Sequence, residues 1–287
     1  MIETIKSIVP RPIKRGIRRC QRWVTALFCN PMVPAKEDIF VVGPYGSEPR
    51  DFLETGREFF EYFKAYGGLQ PTHRVLEIGS GQGRMALPLT GFLSGSGEYV
   101  GVEIVRHGVL WCQEKYRKFP NFRFIHADIY NKNYNPNGTI RASRFQFPCD
   151  DESFDFVFLT SVFTHMCPED MQRYLAEIAR CMKRGGRCLI TFFLLNAESE
   201  EAIRSGKSAV SFRHKVFDVC QAANPDNVEA AIGYREQYVL DAFRRNKLSL
   251  IGDIHYGKWP SRARFLSFQD IVIAEKKDDV GSEQSPS

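Results

Sequence analysis

Nowhere does this sequence hold the run of about eighteen apolar residues that a bilayer-spanning helix needs. No secretory signal pattern opens it either, and no internal repeat is visible. Its eight cysteines include no C-x-x-C pair. Scattered through apolar patterns, they read as reduced, buried thiols of a cytoplasmic protein. The sequence contains no phosphate-binding G-x-x-x-x-G-K-[ST] loop and no H-E-x-x-H pair, which excludes two common routes to hydrolysis. No cluster of metal-ligand residues is evident, so no metal site is expected.

Excess positive charge is also scarce outside one place. The net charge is +5, yet the first 22 residues carry seven basic side chains against Glu3 alone, which leaves the rest of the chain close to neutral. A near-neutral body argues against nucleic acid as a partner. Within 12–28, Ile13, Ile17, Cys20, Val24, Leu27 and Phe28 share one helical face, and the basic residues take the other. Such a helix either packs on its own domain or lies on an anionic membrane surface, which makes peripheral contact with the inner membrane the alternative location. Residues 1–50 are thus expected to form a basic amphipathic extension and connector, 51–277 one α/β domain, and 278–287 a disordered tail.

Over the main domain, apolar periods of two and 3.6 alternate. A helix is expected over 51–66. Strands follow at 75–78, 99–103, 122–126, 154–159 and 188–193, with helices between them at 84–93, up to Lys118, and at 168–182. Alternation of this kind implies a mostly parallel, doubly wound sheet. Residues 196–233 have no clean period and read as an irregular insertion. A helix at 234–246 precedes two strands, 248–256 and 267–276, whose connection is too short for a parallel crossover; they must be antiparallel.

The most informative stretch is Arg74-Val75-Leu76-Glu77-Ile78-Gly79-Ser80-Gly81-Gln82-Gly83-Arg84. A short apolar strand ends in three alternate glycines, which is how a parallel sheet presents bare backbone to a nucleoside cofactor. A dinucleotide fingerprint would place its third glycine at 84, where Arg stands. Two carboxylates extend the pattern. Glu103 closes the second strand and suits ribose hydroxyls, and Asp128 follows the third, where it can meet an adenine amino group beside Ile129.

These motifs resemble those of the class I S-adenosylmethionine (SAM) methyltransferases, over roughly 72–195 and again over the final strand pair. The resemblance implies a Rossmann-like, seven-stranded, mostly parallel sheet with an antiparallel last strand, and SAM as cofactor. It implies that Glu77, Gly79, Ser80, Gly81 and Gly83 hold the methionine end. Glu103 would bind ribose, Asp128 and Ile129 adenine, and Thr160 the region of the methyl group. No [DN]-P-P-[YF] follows the fourth strand, where Leu159-Thr160-Ser161-Val162 stands, which disfavours amino methylation of bases or glutamine by that route.

Methyl transfer to a hydroxyl needs alignment and a proton acceptor. His165, just beyond the fourth strand, is the first candidate base; His255 and Tyr256, at the end of the sixth, are rivals, and His214 is a third. The insertion 196–233, Trp259 and Arg262 are expected to wall the acceptor pocket, Arg262 as a partner for an anionic group. The expected reaction is O-methylation of a small-molecule or sugar-containing acceptor. The alternatives are a lipid-linked or envelope-glycan acceptor at a membrane surface, and a SAM-binding module without catalysis.

Overall fold

The computed structural model describes residues 30–39 and 48–277. The amphipathic helix expected over 12–28 and the tail 278–287 lie outside these. After a short connector comes helix α1 (Pro49–Ala65). Strand β1 (Arg74–Ile78), helix α2 (Ala86–Leu89), β2 (Glu98–Glu103), α3 (Arg106–Lys115) and β3 (Phe122–His126) form the first half. The second runs β4 (Phe154–Leu159), α4 (Pro168–Cys181) and β5 (Met182–Phe192).

These strands form a sheet with β10 (Leu248–Leu250) and β11 (Asp270–Lys276), in the order β10-β11-β5-β4-β1-β2-β3. The neighbours from β3 to β5 pair in parallel, and β11 runs antiparallel to both its neighbours, as expected. The strand order reverses between β1 and β4, which opens a crevice at their carboxyl ends.

Alternation along each strand sorts the core into two layers. Phe156 and Phe158 of β4 pack with α1, α2 and α3, and the Phe63 and Phe158 rings lie 4.3 Å apart. Val157 and Leu159 face α4 and helix α6 (Glu236–Arg245), against Leu175, Ile178 and Phe243. Because both faces of β4 are covered, its sequence from Phe156 to Leu159 is continuously apolar, with Asp155 at its half-buried start.

Several expectations need correction. The helix expected over 84–93 shrinks to the single turn of α2, because Pro88 offers no backbone donor and the bonds beyond it tighten, Thr90 donating to Leu87 and Gly91 to Pro88. Tyr234 belongs to a strand, not to the helix that follows. The late strands are shorter than 248–256 and 267–276, and His255 makes only an isolated bridge to Ile271. The thiols are not all reduced: Cys149 and Cys181 form a disulfide between the loop before β4 and the end of α4, while Cys112, Cys167, Cys188 and Cys220 are free.

The insertion is also more regular than its sequence suggests. It builds a second sheet from β6 (Leu194–Leu195), β7 (His214–Phe217), β8 (Cys220–Ala222) and β9 (Ile232–Arg235), in the order β6-β9-β8-β7, and helix α5 (Ala197–Arg204). Its strands are too short to show a period. Phe193, Leu195, Phe212 and Trp259 form a separate apolar cluster with it.

One buried carboxylate fastens this layer to the main sheet. Asp270, fully buried at the start of β11, accepts hydrogen bonds from Leu194 N at 2.8 Å, Gly257 N at 2.7 Å and Trp259 Nε1 at 2.7 Å. Arg262 pairs with it at 3.0 Å and reaches Glu198 of α5 at 2.7 Å. Asp270→Ala would remove Arg262's buried partner and leave three donors unpaired in the interior. We expect it to destabilise the fold by about 3–5 kcal/mol, read as a lower midpoint in denaturant unfolding.

Candidate active site

The crevice opens into a cavity of about 740 Å³ at the carboxyl ends of β1, β2 and β4. Glu77, Gly79, Ser80, Gly81, Glu103, Ile129, Thr160 and His165 all line it; Gly83 lies one turn behind. The glycine turn is left-handed where glycine is needed. Gly79 has φ +81°, and a Cβ there would lie 2.5 Å from Val162 Cγ2; at Gly83, φ +76°, it would lie 2.7 Å from Tyr116 Oη.

Glu103 ties this turn to the end of β2. One carboxylate oxygen accepts the Gly81 N–H at 2.7 Å and the other the Val105 N–H at 2.7 Å. Burial raises its pKa, and these backbone donors pull it back down. Glu77, fully buried, accepts a short hydrogen bond from the Tyr99 hydroxyl. Burial pushes its carboxyl up to about 8, against the Tyr99 bond and the positive charge of Arg84. The Ser80 hydroxyl is buried in the same turn with no hydrogen-bond partner among the described residues. An orphaned hydroxyl beside two buried carboxylates suits a ligand that brings donors and positive charge.

Asp128 stands apart from this group. It does not line the cavity; its carboxylate accepts the Thr139 hydroxyl at 2.6 Å, and its carbonyl accepts the backbone N–H groups of Thr139 and Ile140. Residues 130–140 fold back on the end of β3, and this return takes up the carboxylate. Ile129 faces the cavity, joined by Tyr130, Asn131 and Tyr134, which no motif had marked.

His165 sits on a 3-10 turn, Phe163–His165, just past β4. Its Nδ1 lies 2.9 Å from the Glu229 carbonyl. A carbonyl only accepts, so Nδ1 carries the proton and Nε2 the lone pair in the neutral ring. Burial lowers its pKa, which keeps the ring neutral. Beside it, Ser161 holds a left-handed φ of +58°, with its N–H donating to Thr191 Oγ1 at 2.8 Å and its hydroxyl to Gln269 Oε1 at 3.1 Å. Strain of this kind persists where the surroundings over-determine it, here at the strand end beside the cavity.

The rival bases are elsewhere. His255 packs its ring on Tyr66 at 4.5 Å, and Tyr256 donates to Glu236 at 3.0 Å beneath the Arg262 guanidinium. Neither lines the cavity, nor does His214, which is exposed on β7. Trp259 and Arg262, expected to wall an acceptor, are instead committed to Asp270, because a buried carboxylate demands donors and charge nearby. The insertion does reach the cavity, through Ala209, Val210, Glu229, Ala230 and Ala231. The signal missed by sequence reading was α1: its apolar face, set by helical spacing, places Phe52 and Phe59 on the cavity wall as well as in the core.

Residues 76–190 match the family described as a methyltransferase domain. Over 118 residues the chain is 32% identical to a phthiotriol/phenolphthiotriol dimycocerosates methyltransferase of Mycobacterium ulcerans, covering 41% of this chain and 36% of that protein. It is 28% identical over 136 residues to a tRNA N(3)-cytidine methyltransferase, METTL2, of Gallus gallus, covering 45% and 32%. The chain thus spans about a third of the length of these curated relatives. Among solved structures, the Burkholderia thailandensis 1,6-didemethyltoxoflavin-N1-methyltransferase, with S-adenosylhomocysteine (SAH) bound, aligns over 95% of this chain and 93% of that one. The TM-score is 0.53 at 14% identity, a likeness of fold alone. Strand order, glycine turn and family match agree on residues 76–190, which match a methyltransferase domain within a fold like that of the SAM-dependent methyltransferases.

Proposed function

We propose that the chain methylates an oxygen of a small-molecule or sugar-containing acceptor, with His165 as the general base. The observation that carries this reading is the meeting, in one cavity, of the Glu103-tethered glycine turn and a buried, neutral histidine beyond β4. SAM, when bound, supplies a methyl group on an activated sulfonium and retains the electron pair of the broken carbon–sulfur bond. The side chains are left with binding, alignment and one proton. Glu103 accepts ribose hydroxyls while its backbone bonds hold it in place. Glu77 and the Ser80 hydroxyl serve the methionine end, and Ile129 packs on the adenine. His165 Nε2 takes the acceptor's hydroxyl proton, and the Glu229 carbonyl holds the ring in the tautomer that allows it.

The cavity lining favours this over a nucleic-acid acceptor, although one relative is named for tRNA. Among the described lining residues are Glu58, Glu103, Asp170 and Glu229, with Glu77 able to ionise beside a cation, against Arg84. That balance suits a cationic cofactor and repels a phosphate backbone.

Three outcomes are expected. Glu103→Gln should weaken SAH binding by roughly 10- to 100-fold in calorimetry, because a charged acceptor of two ribose hydroxyls is lost, whereas Asp128→Asn should change it little.

A ligand cation beside Glu77 favours the ionised carboxyl, so SAH binding near pH 7 should release a proton. The release should vanish well above pH 8, where Glu77 is already ionised, and in Glu77→Gln; calorimetry in buffers of different ionisation enthalpy reads it.

His165→Gln should lower kcat by about 10²- to 10⁴-fold with SAH affinity unchanged. In the native chain the base works unprotonated, and its pKa lies below the ordinary 6.5, so kcat should hold through neutral pH and fall only on acidification below that value. An equal loss of SAH binding in His165→Gln would contradict a role as base.

A further inference from the structure

The cavity has two unlike halves, and the strand order separates them. The ribose carboxylate and Ile129 lie on the β2–β3 side of the glycine turn. On the β4–β5 side the wall comes from four segments distant in sequence. Phe52 and Phe59 project from α1, Phe193 follows β5, Val210 comes from the insertion, and Phe268 precedes β11. Phe52, Phe59 and Phe193 are buried.

Cations are sparse in this half. Among the described lining residues its acids are Glu58, exposed on α1, Asp170 beyond β4 and Glu229 of the insertion, and no lysine lines any part of the cavity. Arg84, the one lining arginine, is half-buried where the glycine turn meets α1, and Glu77 acts on it. The polar groups left are hydroxyls and an amide: Thr55, Ser161, Ser267 and Gln269. Gln269 accepts the Ser161 hydroxyl through Oε1, which leaves its NH₂ group as the donor for an oxygen of the acceptor.

From these walls we propose that the acceptor half takes an uncharged, predominantly apolar hydroxyl compound and rejects anionic acceptors. The inference deepens the oxygen-methylation reading above and rests on it for the reaction, though not for the binding. An apolar body gains from burial against the phenylalanine walls. A carboxylate or phosphate entering the same space loses its hydration and meets more acids than cations, Arg84 being the one cation among the described lining residues. The hydroxyl of the acceptor is the one group that finds partners, in Gln269 and, for its proton, in His165.

The test uses 2-naphthol, neutral at pH 7 and followed by its own fluorescence, against 2-naphthoate, its anionic counterpart of similar size. Both are titrated into the full chain with and without saturating SAH. The naphthol should bind at least about tenfold more tightly, since stripping water from an unpaired carboxylate costs more than the energy of one decade in affinity. Val210→Arg places a cation in the chamber wall and should abolish or invert that preference. Val210→Leu should keep it. SAH binding by both variants shows that they are folded.

Equal or tighter binding of naphthoate by the native chain overturns the proposal. So does failure of naphthol to bind, or a preference that Val210→Arg leaves untouched. Should SAH fail to bind while naphthol retains the preference and its sensitivity to Val210→Arg, the chamber stands and the cofactor assignment falls.

Discussion

Everything at the cofactor crevice depends on where the Glu103 carboxylate is held. Two backbone N–H groups, one from the turn after β1 and one from the turn after β2, bond to its two oxygens. A buried anion in this position is costly unless satisfied, so the two turns are drawn to it and to each other. The glycines let the first turn come close enough: with Val162 and Tyr116 packed against Gly79 and Gly83, any side chain there would push the turn away. The same interaction that shapes the crevice therefore also presents a carboxylate to a ligand.

A second buried carboxylate plays the matching part on the far side of the crevice. Asp270 gathers donors from the start of β6, from Gly257 and from Trp259, and is neutralised by Arg262. In doing so it seats the small second sheet over the crevice, which brings Val210 and Glu229 to the cavity. Glu229 in turn offers its carbonyl to His165. The orientation of the candidate base is thus set by a segment more than sixty residues away, itself held by a charge cluster that never touches the cavity.

Much of the fold was legible in the sequence. The run Phe154–Leu159 could only be a strand buried on both faces, and the short link before the last strand forced an antiparallel edge. The failures have particular causes. Pro88 broke a helix whose apolar pattern continued past it. Strands of two to four residues in the insertion were too short to show a period. Nothing in the spacing of Cys149 and Cys181 announced that the loop before β4 meets the end of α4.

The site divides the same way. The glycine turn, Glu103, Ile129 and His165 meet at one cavity because each lies at or just past the end of a strand, and in an open parallel sheet the strand ends converge on one crevice. Local periodicity and backbone chemistry were enough to mark the parallel strands, the antiparallel edge and the glycine turn. Tertiary packing alone turns Asp128 to Thr139, carries His255 and Tyr256 elsewhere, and sets Trp259 and Arg262 on Asp270. Those outcomes depend on which distant side chain arrives first at a charge or a hydroxyl, and no spacing along the chain records that encounter.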